Sequence, residues 1–208
     1  MDHYESVCRS HHISLPETFN FGRDVVDHMA RDKDKIALIW CNDCNTERIL
    51  TFQEIAESSN QVANWLIEQD VSQGDRVIVM LPRIPEWQIC LTACLKLGAV
   101  PIPCITMLTE KDIAYRMDHS GAAAVITTAA ETAKFQTYVP TLKAALAIGG
   151  SVAGWTDYGL ISNQDRRFEC CDLDLDQPAI MYYTSGSTGD PKGVCHPARS
   201  LYTWRFSA

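Results

Sequence analysis

The chain has 208 residues, 46% hydrophobic and 21% charged, so it carries enough apolar material for a buried core. A formal net charge of −8 argues against a general nucleic-acid or anionic-membrane binder. Nine cysteines follow an acidic start without an apolar leader, and no apolar run nears the roughly 18 residues of a membrane span, so free thiols in a reducing, cytoplasmic setting are expected.

Residues 1–18 show no hydrophobic period and read as an irregular N-terminal tail, with His11 and His12 solvated rather than ligating. Residues 21–31 read as a helix with Val25, Val26 and Met29 on one face. Residues 36–40 and 48–50 are short strands around Cys41-Asn-Asp-Cys-Asn-Thr46, which has hairpin turn chemistry. The Cys41-x-x-Cys44 pair lacks the second pair that a zinc ribbon needs and spans a turn rather than a helix start, so it reads as structural. Thr51-x-x-Glu54 is a capping box. It opens a helix with Phe52, Ile55, Ala56, Ser59, Val62, Ala63, Leu66 and Ile67 on one stripe.

Strands and helices then alternate. Residues 76–81 form a nearly continuous apolar strand, and a helix over 85–97 stops at Gly98. A proline-broken strand over 100–104 is expected to be terminal or short. A helix over 110–120 is capped by Thr109 and closed by Gly121, and strands over 123–127 and 144–148 flank a helix over 130–138. This order implies an α/β fold, a parallel β-sheet flanked by helices on both faces. Residues 151–177 are less regular; Asp172-Leu-Asp-Leu-Asp176 starts like a calcium loop but lacks the later glycine and glutamate, so an exposed connection is expected.

An apolar strand over 179–183 then empties into a loop with Gly186, Gly189 and Gly193 and the hydroxyls of Thr184, Ser185, Ser187 and Thr188. Glycines let backbone N–H groups close on an anion, the hydroxyls donate further bonds, and Lys192 adds a positive charge. Such a loop suits a polyphosphate. It is not a Walker A loop, because Pro191 stands where the second glycine should be and Gly193 follows Lys192. A plain surface turn between two strands would need fewer glycines.

The run Tyr183-Thr-Ser-Gly-Ser-Thr-Gly-Asp-Pro-Lys-Gly-Val194 resembles the phosphate-loop signature of the AMP-forming acyl-adenylate enzymes, a superfamily that includes acyl-CoA synthetases. Leu50-Thr-Phe-Gln-Glu-Ile55 and Leu95-Lys-Leu-Gly-Ala-Val-Pro-Ile-Pro103 are weaker matches in the same order. The resemblance runs from about residue 19 to residue 208. It implies the incomplete N-terminal part of the large domain: a tail over 1–18 and a partial AMP-binding domain over 19–208.

The chemistry so implied is a carboxylate attacking the α-phosphorus of MgATP, followed by displacement of AMP by the thiol of CoA. ATP, Mg²⁺, CoA and a small-molecule carboxylic acid are therefore the expected ligands. By position, Thr184, Ser185, Gly186, Ser187, Thr188, Gly189 and Lys192 would hold the β- and γ-phosphates. A histidine often follows the loop in this family, so His196 reads either as a substrate contact or as a packing group. No complete catalytic set is expected within these residues. The chain on its own reads as inactive, and the alternatives are a weak polyphosphate-binding module or an inert truncated remnant.

Overall fold

The computed structural model describes residues 13–185 and 189–204. His11 and His12 lie outside the described residues. Helix α1 (Gly22–Asp27) is one π-helical turn within the longer helix expected there. Asn20, fully buried, sets its start: its Oδ1 accepts from the backbone N–H of Gly22 at 2.9 Å and of Arg23 at 3.3 Å. Strands β1 (Ile36–Cys41) and β2 (Glu47–Thr51) form the expected antiparallel hairpin. Asn42 Oδ1 accepts from the N–H of Cys44 and Thr46, so the cysteines flank an Asx-type turn and both are exposed.

Helix α2 (Phe52–Glu68) starts with the capping box complete: Thr51 accepts from the N–H of Glu54, whose carboxylate accepts from the N–H of Thr51. Its stripe is rotated from the one expected. Ile67 is 48% exposed, whereas Trp65 is buried at 4%. The cause is tertiary, because an irregular segment lies along that flank. Gln61 donates to the carbonyls of Ser162 and Gln164, Asn64 to those of Asp165 and Arg167, and Asn60 to that of Arg166.

The centre is a parallel sheet of β3 (Arg76–Met80), β4 (Val100–Cys104), β5 (Ala124–Thr128), β6 (Ala144–Ile148) and the short β7 (Thr156–Asp157), in the order β4-β3-β5-β6-β7. Alternation splits its side chains between two cores. Val77, Val79, Ile126 and Leu146 pack under α2 and α3 (Pro85–Leu97), while Ile78, Met80, Val125 and Ala147 pack on the opposite face with Ile113 and Met117 of α4 (Glu110–Ser120). The sheet is covered on both faces, as the βα alternation requires.

Pro101 and Pro103 sit two apart on β4 and remain in register with Val77 and Val79 of β3. Residues two apart turn the same way, so the missing N–H donors lie on the outer edge, and β4 ends the sheet. Gly98 closes α3 in the left-handed conformation (φ 76°), where a Cβ would also meet Cys171 Sγ at 2.5 Å.

Between β5 and β6 the expected α-helix is replaced by 3₁₀ turns over Ala129–Phe135 and Val139–Thr141. The buried side chains there, Thr132 and Phe135, are three apart, the spacing that a 3₁₀ turn stacks on one face. Strands β8 (Pro178–Thr184) and β9 (Lys192–Pro197) form a second antiparallel hairpin followed by the short α5 (Ala198–Trp204). Only β8 was expected.

Candidate functional site

The glycine-rich loop joins two strands whose last ladder pair is Thr184 with Lys192. Directly opposed residues in a ladder share a face. The Thr184 hydroxyl and the Lys192 ammonium therefore project from the same side of the hairpin, at the mouth of the loop. Both are exposed, as are Ser185 and Gly189. Gly189 has φ 116°, a conformation that L side chains rarely adopt. Among the described residues Lys192 makes no ion pair. Gly186, Ser187 and Thr188, also expected in the grip, lie outside the described residues.

Period-two alternation places Tyr182 and Val194 on the face of Thr184 and Lys192, and Tyr183 and Gly193 on the opposite one. Tyr182 lines a cavity of about 600 Å³ at the carboxyl ends of β3 and β4, bounded also by Trp40, Leu81, Ile84, Trp87 and Ile105. Crevices at this end of an open parallel sheet are the usual ligand positions. Trp40 is fixed by its Nε1–H, which donates to the carbonyl of Arg83 at 2.6 Å. The cavity wall is mostly apolar, and Arg83 and Gln88 are its charged and amide members.

The other face of the hairpin rests on α4. Tyr183 O–H and His119 Nδ1 are hydrogen-bonded at 2.8 Å, and the Tyr115 hydroxyl donates to the carbonyl of Pro191 at 2.9 Å. Tyr115 and His119 are four residues apart on one helix face, with their rings stacked at 5.5 Å. The Arg116 guanidinium lies 5.1 Å from the Tyr183 ring centre. Burial raises the Tyr183 phenol above its ordinary value. Gly193 lies against this cluster: a Cβ there would touch His119 Cε1 at 3.4 Å and Met181 Sδ at 3.3 Å. The i, i+4 pairing of Tyr115 and His119 was visible in the sequence, but nothing there showed what the pair would meet.

His196 packs edge-on between Tyr182 and Trp204, with ring centres at 5.8 and 5.1 Å. Among the described residues no group of three or more His, Cys, Asp or Glu side chains is placed to hold a metal ion. No helix there is long and apolar enough to cross a membrane.

The family model described as "AMP-binding enzyme" matches residues 25–207. The human "Acyl-coenzyme A synthetase ACSM5, mitochondrial" is 34% identical over 206 residues, 93% of this chain and 35% of that protein. The mouse "Acyl-coenzyme A synthetase ACSM3, mitochondrial" is 35% identical over 217 residues, 95% of this chain and 36% of that protein. The crystal structure of a Brucella canis acyl-CoA synthetase superposes with a TM-score of 0.86 at 26% identity, covering 97% of this chain and 39% of that one. The chain thus spans about a third of the length of the curated relatives it matches.

Proposed function

The chain belongs to the AMP-binding enzyme family, and on that premise we propose that it forms the phosphate-gripping part of an AMP-forming carboxylate–CoA ligase, an acyl-CoA synthetase. In this reading residues 19–208 are a partial AMP-binding domain and the chain by itself does not ligate. The reaction consumes ATP, a small-molecule carboxylic acid and CoA. The observation that carries the reading is the Thr184–Lys192 ladder pair, which sets a hydroxyl donor and a cation side by side at the mouth of the glycine-rich loop. Thr184, Ser185, Gly186, Ser187, Thr188, Gly189 and Lys192 would hold the β- and γ-phosphates, and their contribution is positioning and charge stabilisation of the departing pyrophosphate.

Mg²⁺ would arrive with the triphosphate as its counter-ion. Among the described residues no cluster of His, Cys, Asp or Glu side chains is suited to hold it. Nine cysteines suit a reducing compartment; a cytoplasmic location is the reading proposed, and cell fractionation would separate it from the mitochondrial one in the relatives' names.

Two measurements test the reading. A protein containing this chain at the full length of its relatives should exchange pyrophosphate into ATP in the presence of an acid; no exchange with a broad acid panel overturns the ligase assignment. The 208-residue chain should bind pyrophosphate at about millimolar Kd, roughly −4 kcal/mol. That binding should disappear in Lys192→Ala. Binding indifferent to this substitution would place the phosphate elsewhere.

A further inference from the structure

The hairpin that carries the loop is held on both arms, at the loop mouth, by one helix. On the entry arm, Tyr183 immediately precedes Thr184, and its hydroxyl meets His119 Nδ1 at 2.8 Å. On the exit arm, Pro191 immediately precedes Lys192, and its carbonyl accepts from the Tyr115 hydroxyl at 2.9 Å. These two contacts reach the residues directly before the ladder pair that faces the cavity side.

We infer that Tyr115 and His119 are positioning residues for phosphate binding, a clamp on α4 that fixes the spacing and aim of Thr184 and Lys192. The inference rests on the phosphate-loop reading above.

Three features support the clamp. β8 packs beside β4 and buries Ala179 and Ile180 at its start, but among the described residues its ladder bonds go to β9, and a two-stranded ladder is weakly held by itself. The exposed loop-proximal ends of the arms, at Thr184 and Lys192, therefore need a tertiary anchor to keep a fixed direction. The anchor itself is rigid: α4 has a capping box at Thr109 and Asp112, Ile113 and Met117 buried in the core, and a C-terminus closed by Arg76, whose guanidinium donates to the carbonyls of Ser120 and Gly121. The contact is also selective in geometry. Tyr183 and Gly193 turn toward α4 while Thr184 and Lys192 turn away, so the clamp holds the hairpin by its back and leaves the donor face open.

A group that acts by orienting Lys192 should affect ligand affinity more than overall stability. The test uses the 208-residue chain, with pyrophosphate as probe and amide chemical shifts as the readout of affinity. Tyr115→Phe and Tyr183→Phe each remove a single hydroxyl and keep the ring. Tyr138→Phe is the control: its hydroxyl also bonds to α4, at Asp118, and among the described residues makes no bond to the hairpin.

The clamp predicts that Tyr115→Phe and Tyr183→Phe weaken pyrophosphate binding by about threefold to tenfold, whereas Tyr138→Phe does not. It also predicts faster amide hydrogen exchange without ligand, confined to residues 184–185 for Tyr183→Phe and to Gly189, Asp190 and Lys192 for Tyr115→Phe. Sheet amides of β3 and β5 should stay protected. If Lys192→Ala abolishes binding while both tyrosine variants behave like the control, the clamp is overturned and the phosphate loop stands. Exchange that rises throughout the sheet likewise overturns it, since the hydroxyls would then serve stability alone. No binding by the unsubstituted chain, or binding indifferent to Lys192→Ala, overturns the loop reading and the clamp with it.

Discussion

Lys96 is fully buried, and its ammonium donates to Asp27 Oδ1 at 2.6 Å, to Asn60 Oδ1 and to the carbonyl of Ala56. One side chain thus ties α1, α2 and α3 together. Gly22 makes room for it, because a Cβ there would fall 2.1 Å from Lys96 Cγ. Asp27→Ala would leave the buried charge without its counter-ion and should cost about 3 kcal/mol, the low end for such pairs because Asp27 is partly exposed. Urea unfolding measures this. Thiols offer a second check at this scale. Burial pushes the Cys94 thiol up to about 12 and the Cys104 thiol up to about 11, and Cys90 also lies well above its ordinary value. Cys41 and Cys44 are exposed. A thiol reagent at pH 8 should therefore label Cys41 and Cys44 quickly and reach Cys90, Cys94 and Cys104 only at the rate of unfolding.

At the level of elements, the packing of the irregular segment after β7 against α2 is the contact that sequence patterning misses. Asn60, Gln61 and Asn64 look like an ordinary solvated face, yet their amides satisfy five backbone carbonyls of residues 162–167. A chain without its own ladder needs such donors wherever it is held against a helix. Gln61 supplies two of these bonds and is only 8% exposed. Gln61→Ala should loosen the segment and speed tryptic cleavage at Arg166 and Arg167 severalfold, with α2 still helical by circular dichroism. Unchanged cleavage would mean that the flanking asparagines suffice.

At the scale of the whole molecule, the chain buries a double-layered core but leaves apolar surface open. Ile39 and Ile49 face each other across the β1–β2 hairpin, at 57% and 51% exposure, and Ile105 and Met107 stand out beside the cavity. Exposed apolar patches promote association. The isolated 208-residue chain should self-associate with rising concentration in sedimentation velocity; a single monomeric species up to high concentration would contradict this.

Local chemistry made much of this protein readable from its sequence. The capping box at Thr51, the cap at Thr109, the glycine stops at 98 and 121, and the alternation of apolar strands with amphipathic helices are settled within a few neighbouring residues, so the covered parallel sheet was legible. So were the glycines, hydroxyls and Lys192 that mark the loop, because their spacing is itself the signal. Strand order, the rotation of the α2 stripe toward Trp65, and the 3₁₀ turns before β6 were not legible, since each depends on which distant segment covers the element. The same holds for the pairing of Thr184 with Lys192 and for the meeting of α4 with the hairpin. Tyr115 and Pro191 are 76 residues apart, and only the packed fold brings that hydroxyl to that carbonyl.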